Sequence, residues 1–136
     1  MKQLTLILAF IAISFSALCQ SKSYAHHIES GRWDSYSKKW ILKEPVEINL
    51  EFTLNKTNVY INDKAETFLT IIEDEGEKVG QDSYTTHSWA CTDEKYRRCT
   101  FMMAHNPTTG KQVYIIMYND VIFRYYISSS SNDNFN

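Results

Sequence analysis

Polar and apolar side chains alternate without a break from Glu47 to Leu54 (Glu-Ile-Asn-Leu-Glu-Phe-Thr-Leu). Period two marks a half-buried strand, and it predicts Ile48, Leu50, Phe52 and Leu54 on one face. Asn55-Lys56-Thr57-Asn58 reads as a turn, and Val59-Tyr60-Ile61 as a second strand with Val59 and Ile61 inward. Asn62-Asp63-Lys64-Ala65 turns again, and residues 67–72 form a third strand. Residues 73–82 hold Glu73, Asp74, Glu75, Glu77 and Asp82 together with Gly76 and Gly80. Glycine and repeated charge suit neither a strand nor a helix, so this stretch reads as a long solvated loop. Residues 83–91 and 98–105 read as a hairpin pair.

Asn106-Pro107-Thr108-Thr109-Gly110 is a turn, 112–118 a strand, Asn119-Asp120 a two-residue turn and 121–127 the closing strand. Near the start, Gly31-Arg32-Trp33 and Lys38-Lys39-Trp40-Ile41 flank Asp34-Ser35-Tyr36-Ser37 as a first hairpin. The last two strands are apolar on both faces. Val113, Ile115 and Met117 lie on one side, with Tyr114, Ile116 and Tyr118 on the other. Such a strand at a free edge would invite aggregation, so either the sheet closes or a partner covers it. The expected fold is all-β, with about eight short antiparallel strands in a small barrel or sandwich.

The ends read differently. Leu4 to Leu18 is almost wholly apolar behind Lys2, with Ala17 and Cys19 as small residues before a cut at Gln20. The run is shorter than the roughly 20 residues of a permanent membrane helix. Residues 1–19 are therefore expected to be a cleaved signal peptide, and the chain to be exported to the periplasm or the medium. A lipid anchor at Cys19 is the less favoured alternative, because Leu18 is large for that motif. Residues 20–29 read as a polar lead-in, 30–127 as the β domain and 128–136 as a disordered tail. No second apolar run is long enough to span a membrane.

Export changes the charge and the cysteine count. Of 14 Lys and Arg, Lys2 leaves with the signal, so 13 bases face 16 acids, a net charge of −3. No basic block stands beyond Arg97-Arg98, so neither nucleic acid nor an anionic membrane is an expected partner. Two cysteines remain, Cys91 and Cys99, and an even count outside the cytosol predicts a disulfide. Pairing Cys91 with Cys99 would place Trp89 opposite Phe101 and His87 opposite Met103, all on one face.

Candidate chemistry is sparse. His87, Cys91, Cys99 and His105 are zinc-type ligands at a spacing that fits no standard finger. His26 and His27 are adjacent, so on a regular strand they point to opposite faces. The acids of 73–82 do not match a calcium loop. No Gly-x-Ser-x-Gly elbow, phosphate loop or dinucleotide fingerprint occurs, and no metal or cofactor is expected. A catalytic reading, a small hydrolase, would need a cleft in which His87 or His105 meets a carboxylate. Aromatics are 14% of the chain. Trp33, Trp40, Tyr114, Tyr118, Tyr125 and Tyr126 are candidate interaction residues, because aromatics on a sheet face anchor partners when they are not filling a core.

The segment Trp89-Ala90-Cys91-Thr92-Asp93 up to Cys99, followed by the aromatic strands 113–118 and 121–126, resembles small exported, uncharacterised all-β proteins of Bacteroidetes-type bacteria. That likeness implies no activity. Gly31-x-Trp33, with Arg124 in the last strand, is more weakly similar to lipocalin-like barrels, which implies a basic residue over the tryptophan. The leading functional expectation is a non-catalytic exported binding module for an unknown protein or small molecule. The alternative is a lipocalin-like carrier of a small apolar ligand, which requires an apolar cavity above about 300 Å³.

Overall fold

The computed structural model describes residues 21–80 and 84–130. They form β1 (Ser21–Asp34), β2 (Lys39–Leu42), β3 (Val46–Leu54), β4 (Asn58–Asn62), β5 (Thr67–Val79), β6 (Thr85–Thr92), β7 (Arg98–His105), β8 (Gln112–Met117) and β9 (Val121–Ser130). Every pairing is antiparallel. Among the described residues no helix is long and apolar enough to cross a membrane. The expected signal peptide and residues 131–136 of the expected tail lie outside the described residues.

The strands pair in the order β1-β3-β4-β5-β6-β7-β8-β9, and β9 returns to β1. Eight strands thus close a barrel, and the choice between barrel and sandwich falls to the barrel. Closure accounts for the two-faced apolar strands. β8 is paired on both sides, by β7 and β9, and β9 by β8 and β1, so neither leaves an open edge.

The ninth strand, β2, extends the line of β3 along the same side of β1. Gly31 faces Leu42 and Trp33 faces Trp40, and further along Ile28 faces Val46. Between the two strands the Lys43 N–H still donates to the Ser30 carbonyl at 2.8 Å. Pro45 then brings no N–H, and the ladder lapses. Gly31 is needed where they cross: a Cβ there would lie 2.7 Å from the Ile41 carbonyl and 2.8 Å from Leu42 Cδ2.

The period-two face of β3 lines the interior. Phe52 is fully buried, and Ile48, Leu50 and Leu54 pack around the same cluster. Phe52 meets Tyr125 at 4.8 Å and Tyr114 at 5.3 Å, both edge-on, and Phe101 at 6.5 Å. Each such pair adds about 0.5–1.5 kcal/mol beyond the area it buries. Among the described residues Ser23 is the one buried polar residue, and its hydroxyl shares a 2.7 Å hydrogen bond with the Tyr114 hydroxyl.

Three expectations are corrected. Residues 21–29 are not a loose lead-in but the first half of β1, with Ser23 and Ala25 in the interior. Residues 73–79 are not a loop but the second half of β5, paired with β6 through two bulges. Gly76 sits at one of them with φ 86°, a backbone that favours glycine. The serines expected to open the tail extend β9 to Ser130.

Candidate functional site

The turns at 55–58 and 106–111, each closed by its own hydrogen bond, stand at one end of the barrel. The other end, framed by the β4–β5, β6–β7 and β8–β9 connections, is open. A cavity of about 960 Å³ enters there. Ile28, Ile48, Leu50, Leu69, Ile116 and Phe123 form its walls, and Tyr125 stands at its floor. These come from β1, β3, β5, β8 and β9, which only barrel closure brings together. A pocket of this size and lining is typical of small-molecule sites, at roughly 300–1,000 Å³.

The rim is polar and held by its own hydrogen bonds. In the β4–β5 turn, Asp63 accepts the Thr67 N–H at 3.0 Å and the Thr67 hydroxyl at 2.9 Å. In the β6–β7 loop, Asp93 Oδ1 accepts the N–H groups of Lys95 and Arg97, both at 2.9 Å. Its Oδ2 accepts Arg97 Nε at 3.0 Å and the Tyr118 hydroxyl at 2.9 Å. Burial alone would raise the Asp93 carboxyl, but these four donors outweigh it and hold the pKa low. The Tyr118 phenol is pushed up, first by burial and then by donating to that carboxylate. Arg97 also lies 4.9 Å from the Tyr118 ring centre. Glu94 reaches across to accept the Phe68 N–H at 2.8 Å, which ties this loop to β5. Lys64 and Lys95 complete the rim, and neither makes an ion pair among the described residues.

The candidate aromatics separate into three groups. Tyr114 and Tyr125 are interior, 3% and 6% exposed, and do not meet a partner on the outer surface; of the two, Tyr125 lines the cavity. Tyr118 belongs to the rim. Tyr126 is on the outer face, where its hydroxyl donates to Glu29 and Arg124 lies 6.0 Å from its ring centre. Trp33 and Trp40 form an edge-on pair at 5.3 Å on the first hairpin. The ring contact of Arg124 is thus with Tyr126 and not with Trp33, as the lipocalin likeness implied.

Cys91 faces Cys99 in the expected register, with Trp89 opposite Phe101 and His87 opposite Met103. The expected disulfide, however, is not formed, and both are buried free thiols. The Cys91 S–H points to the Trp89 carbonyl at 3.6 Å instead of to its neighbour. Burial pushes the Cys91 thiol up to about 12 and the Cys99 thiol up to about 11, so neither holds the thiolate that exchange requires.

His26 and His27 do not diverge, because β1 bulges between Ala25 and His27, and their rings meet edge-on at 4.6 Å. His87 does meet a carboxylate, sharing a 2.6 Å hydrogen bond with Asp74 and stacking on Trp89 at 4.1 Å. The bulge at Gly76 turns Asp74 toward it, and the Gly76 N–H is the first cause of the low Asp74 pKa, ahead of His87. The pair stands on the flank of the β5–β6 hairpin with side chains 30% and 58% exposed, and neither residue lines the cavity. Among the described residues no group of three or more His, Cys, Asp or Glu is placed to hold a metal ion.

The cavity itself was not foreseeable residue by residue, since its walls lie up to 95 positions apart, from Ile28 to Phe123. Comparison with protein-family models, curated proteins and solved structures finds no match to this chain.

Proposed function

We propose that this chain is a non-catalytic binding barrel of the cell envelope that takes a small apolar molecule into its open end. The cavity carries the reading: apolar walls, an aromatic floor, and polar groups confined to the rim. Burial of apolar ligand surface yields about 25 cal/mol per Å², so such a wall supports affinity without a dedicated polar anchor. The rim donors on Lys64 and Lys95 admit a ligand with one polar end. Placement in the envelope rests on the apolar segment from Leu4 to Leu18.

Titration with an uncharged naphthylamine dye tests the proposal. Saturable fluorescence enhancement with one site per chain is expected. Absence of saturable binding would overturn it.

A second reading, a protein partner, is favoured by the outside of β7–β9. Met102, Ile115 and Met117 are only half-buried there, around Arg124, whose Nε is buried without a hydrogen-bond partner among the described residues. A partner carboxylate would satisfy that atom.

A further inference from the structure

The first hairpin leaves the barrel beside the cavity. The Trp33 N–H donates to the Asp120 carbonyl at 2.9 Å, and beyond it no other strand among the described residues pairs with the hairpin. Asp34 shapes the turn by accepting the Tyr36 N–H at 3.2 Å and the Ser37 hydroxyl at 2.7 Å. Lys38 closes the turn at φ 54°. This geometry leaves Tyr36 99% exposed at the tip.

Apolar groups lie on every side of this projection. Trp33, Trp40 and Leu42 share one face by register, Ile41 lies on the other with Arg32, and Tyr36 tops it. A protein surface would cover one face. A lipid interface surrounds all of them, and Trp and Tyr are the side chains that settle at such an interface. Charge points the same way. The chain as a whole carries −2, yet Arg32, Lys38, Lys39 and Lys43 stand here against Asp34 and Glu44, a local excess of two positive charges. None of the four makes an ion pair among the described residues.

We propose that this hairpin docks the open end of the barrel onto an anionic lipid bilayer, with Trp33, Tyr36 and Trp40 at the interface and the four cations over the headgroups. The local charge reverses what the net charge of the chain suggested. Docking does not depend on the cavity being filled. Where both hold, the cavity opens toward the phase in which apolar molecules dissolve.

Vesicle co-sedimentation tests this with the chain from Gln20, which contains all nine strands and lacks the apolar segment 4–18. The probes are vesicles of phosphatidylcholine and vesicles with phosphatidylglycerol added. Association with the anionic vesicles is expected, weakening as salt rises. Lys38→Glu with Lys39→Glu is expected to lower partitioning about tenfold or more. Tyr36→Ser, at a fully exposed position, is expected to lower it with unchanged circular dichroism. Equal binding to both vesicle types, no association with either, or unchanged partitioning of the variants would overturn the proposal. A soluble acidic protein as the true partner would give the second of these results.

Discussion

The Tyr118 hydroxyl donates to Asp93 on the rim of the open end at 2.9 Å, joining the end of β8 to the β6–β7 loop beside it. The Asp93 carboxyl is held below its ordinary range of about 3.9. A lowered folded pKa means that the ionised form favours folding. That stabilisation is complete above the ordinary value and is lost as pH falls through the lower folded one. The urea midpoint of the wild type should therefore drop further on acidification below about pH 4 than that of Asp93→Asn. At neutral pH, Asp93→Asn should cost about 1.5–3 kcal/mol, because hydrogen bonds to a charged acceptor are lost. Parallel acid profiles of the two proteins would refute the assignment.

Ser23 and Tyr114 make a buried pair that a double-mutant cycle can isolate. Ser23→Ala leaves the Tyr114 hydroxyl without its partner, at about 1–3 kcal/mol. Adding Tyr114→Phe removes the stranded group, so the double variant should lose less than the sum of the singles. Strict additivity in urea unfolding would show that the bond is not formed.

Gly31→Ala places a methyl against the Ile41 carbonyl and Leu42. A backbone atom has little room to move, so a loss of about 1–3 kcal/mol is expected. The lesion should also loosen the β1–β2 hairpin, seen as faster amide exchange at Ile41 and Leu42. A neutral substitution would mean that β2 does not cross β1 this closely.

Cys91 and Cys99 should behave as buried thiols. Intact mass should not change on reduction. Alkylation should be slow in the native chain from Gln20 and reach two labels in denaturant. A gain of about 2 Da on reduction would reinstate the disulfide.

Much of the barrel was legible because interior and exterior alternate along its strands. The run from Glu47 to Leu54 announced its inner face, and placing Cys91 opposite Cys99 gave the β6–β7 register although the bond that suggested it is not formed. The extension of β5 past Ile72 was hidden because Glu73 to Val79 is held by backbone pairing and bulges, not by an apolar face. The start of β1 was hidden because its interior residues, Ser23 and Ala25, are small and make room for Tyr114. Tyr114 and Tyr125 stood as candidates for an interaction face beside the commoner reading of aromatics as core, and closure turns both inward. The open cavity had no local signal, because its walls on β1, β3 and β5 face those on β8 and β9 only once β9 pairs with β1.

Ile115 and Leu50 separate the outer face from the cavity. Leu50 lines the cavity, and Ile115 stands half-buried on the outside of β8. The most direct measurement is the uncharged-dye titration repeated on Leu50→Trp and Ile115→Ser, each with native circular dichroism. The account predicts at least about a tenfold loss of affinity, some 1.4 kcal/mol, for Leu50→Trp and wild-type affinity for Ile115→Ser. Unchanged binding by Leu50→Trp, or loss only in Ile115→Ser, would contradict it.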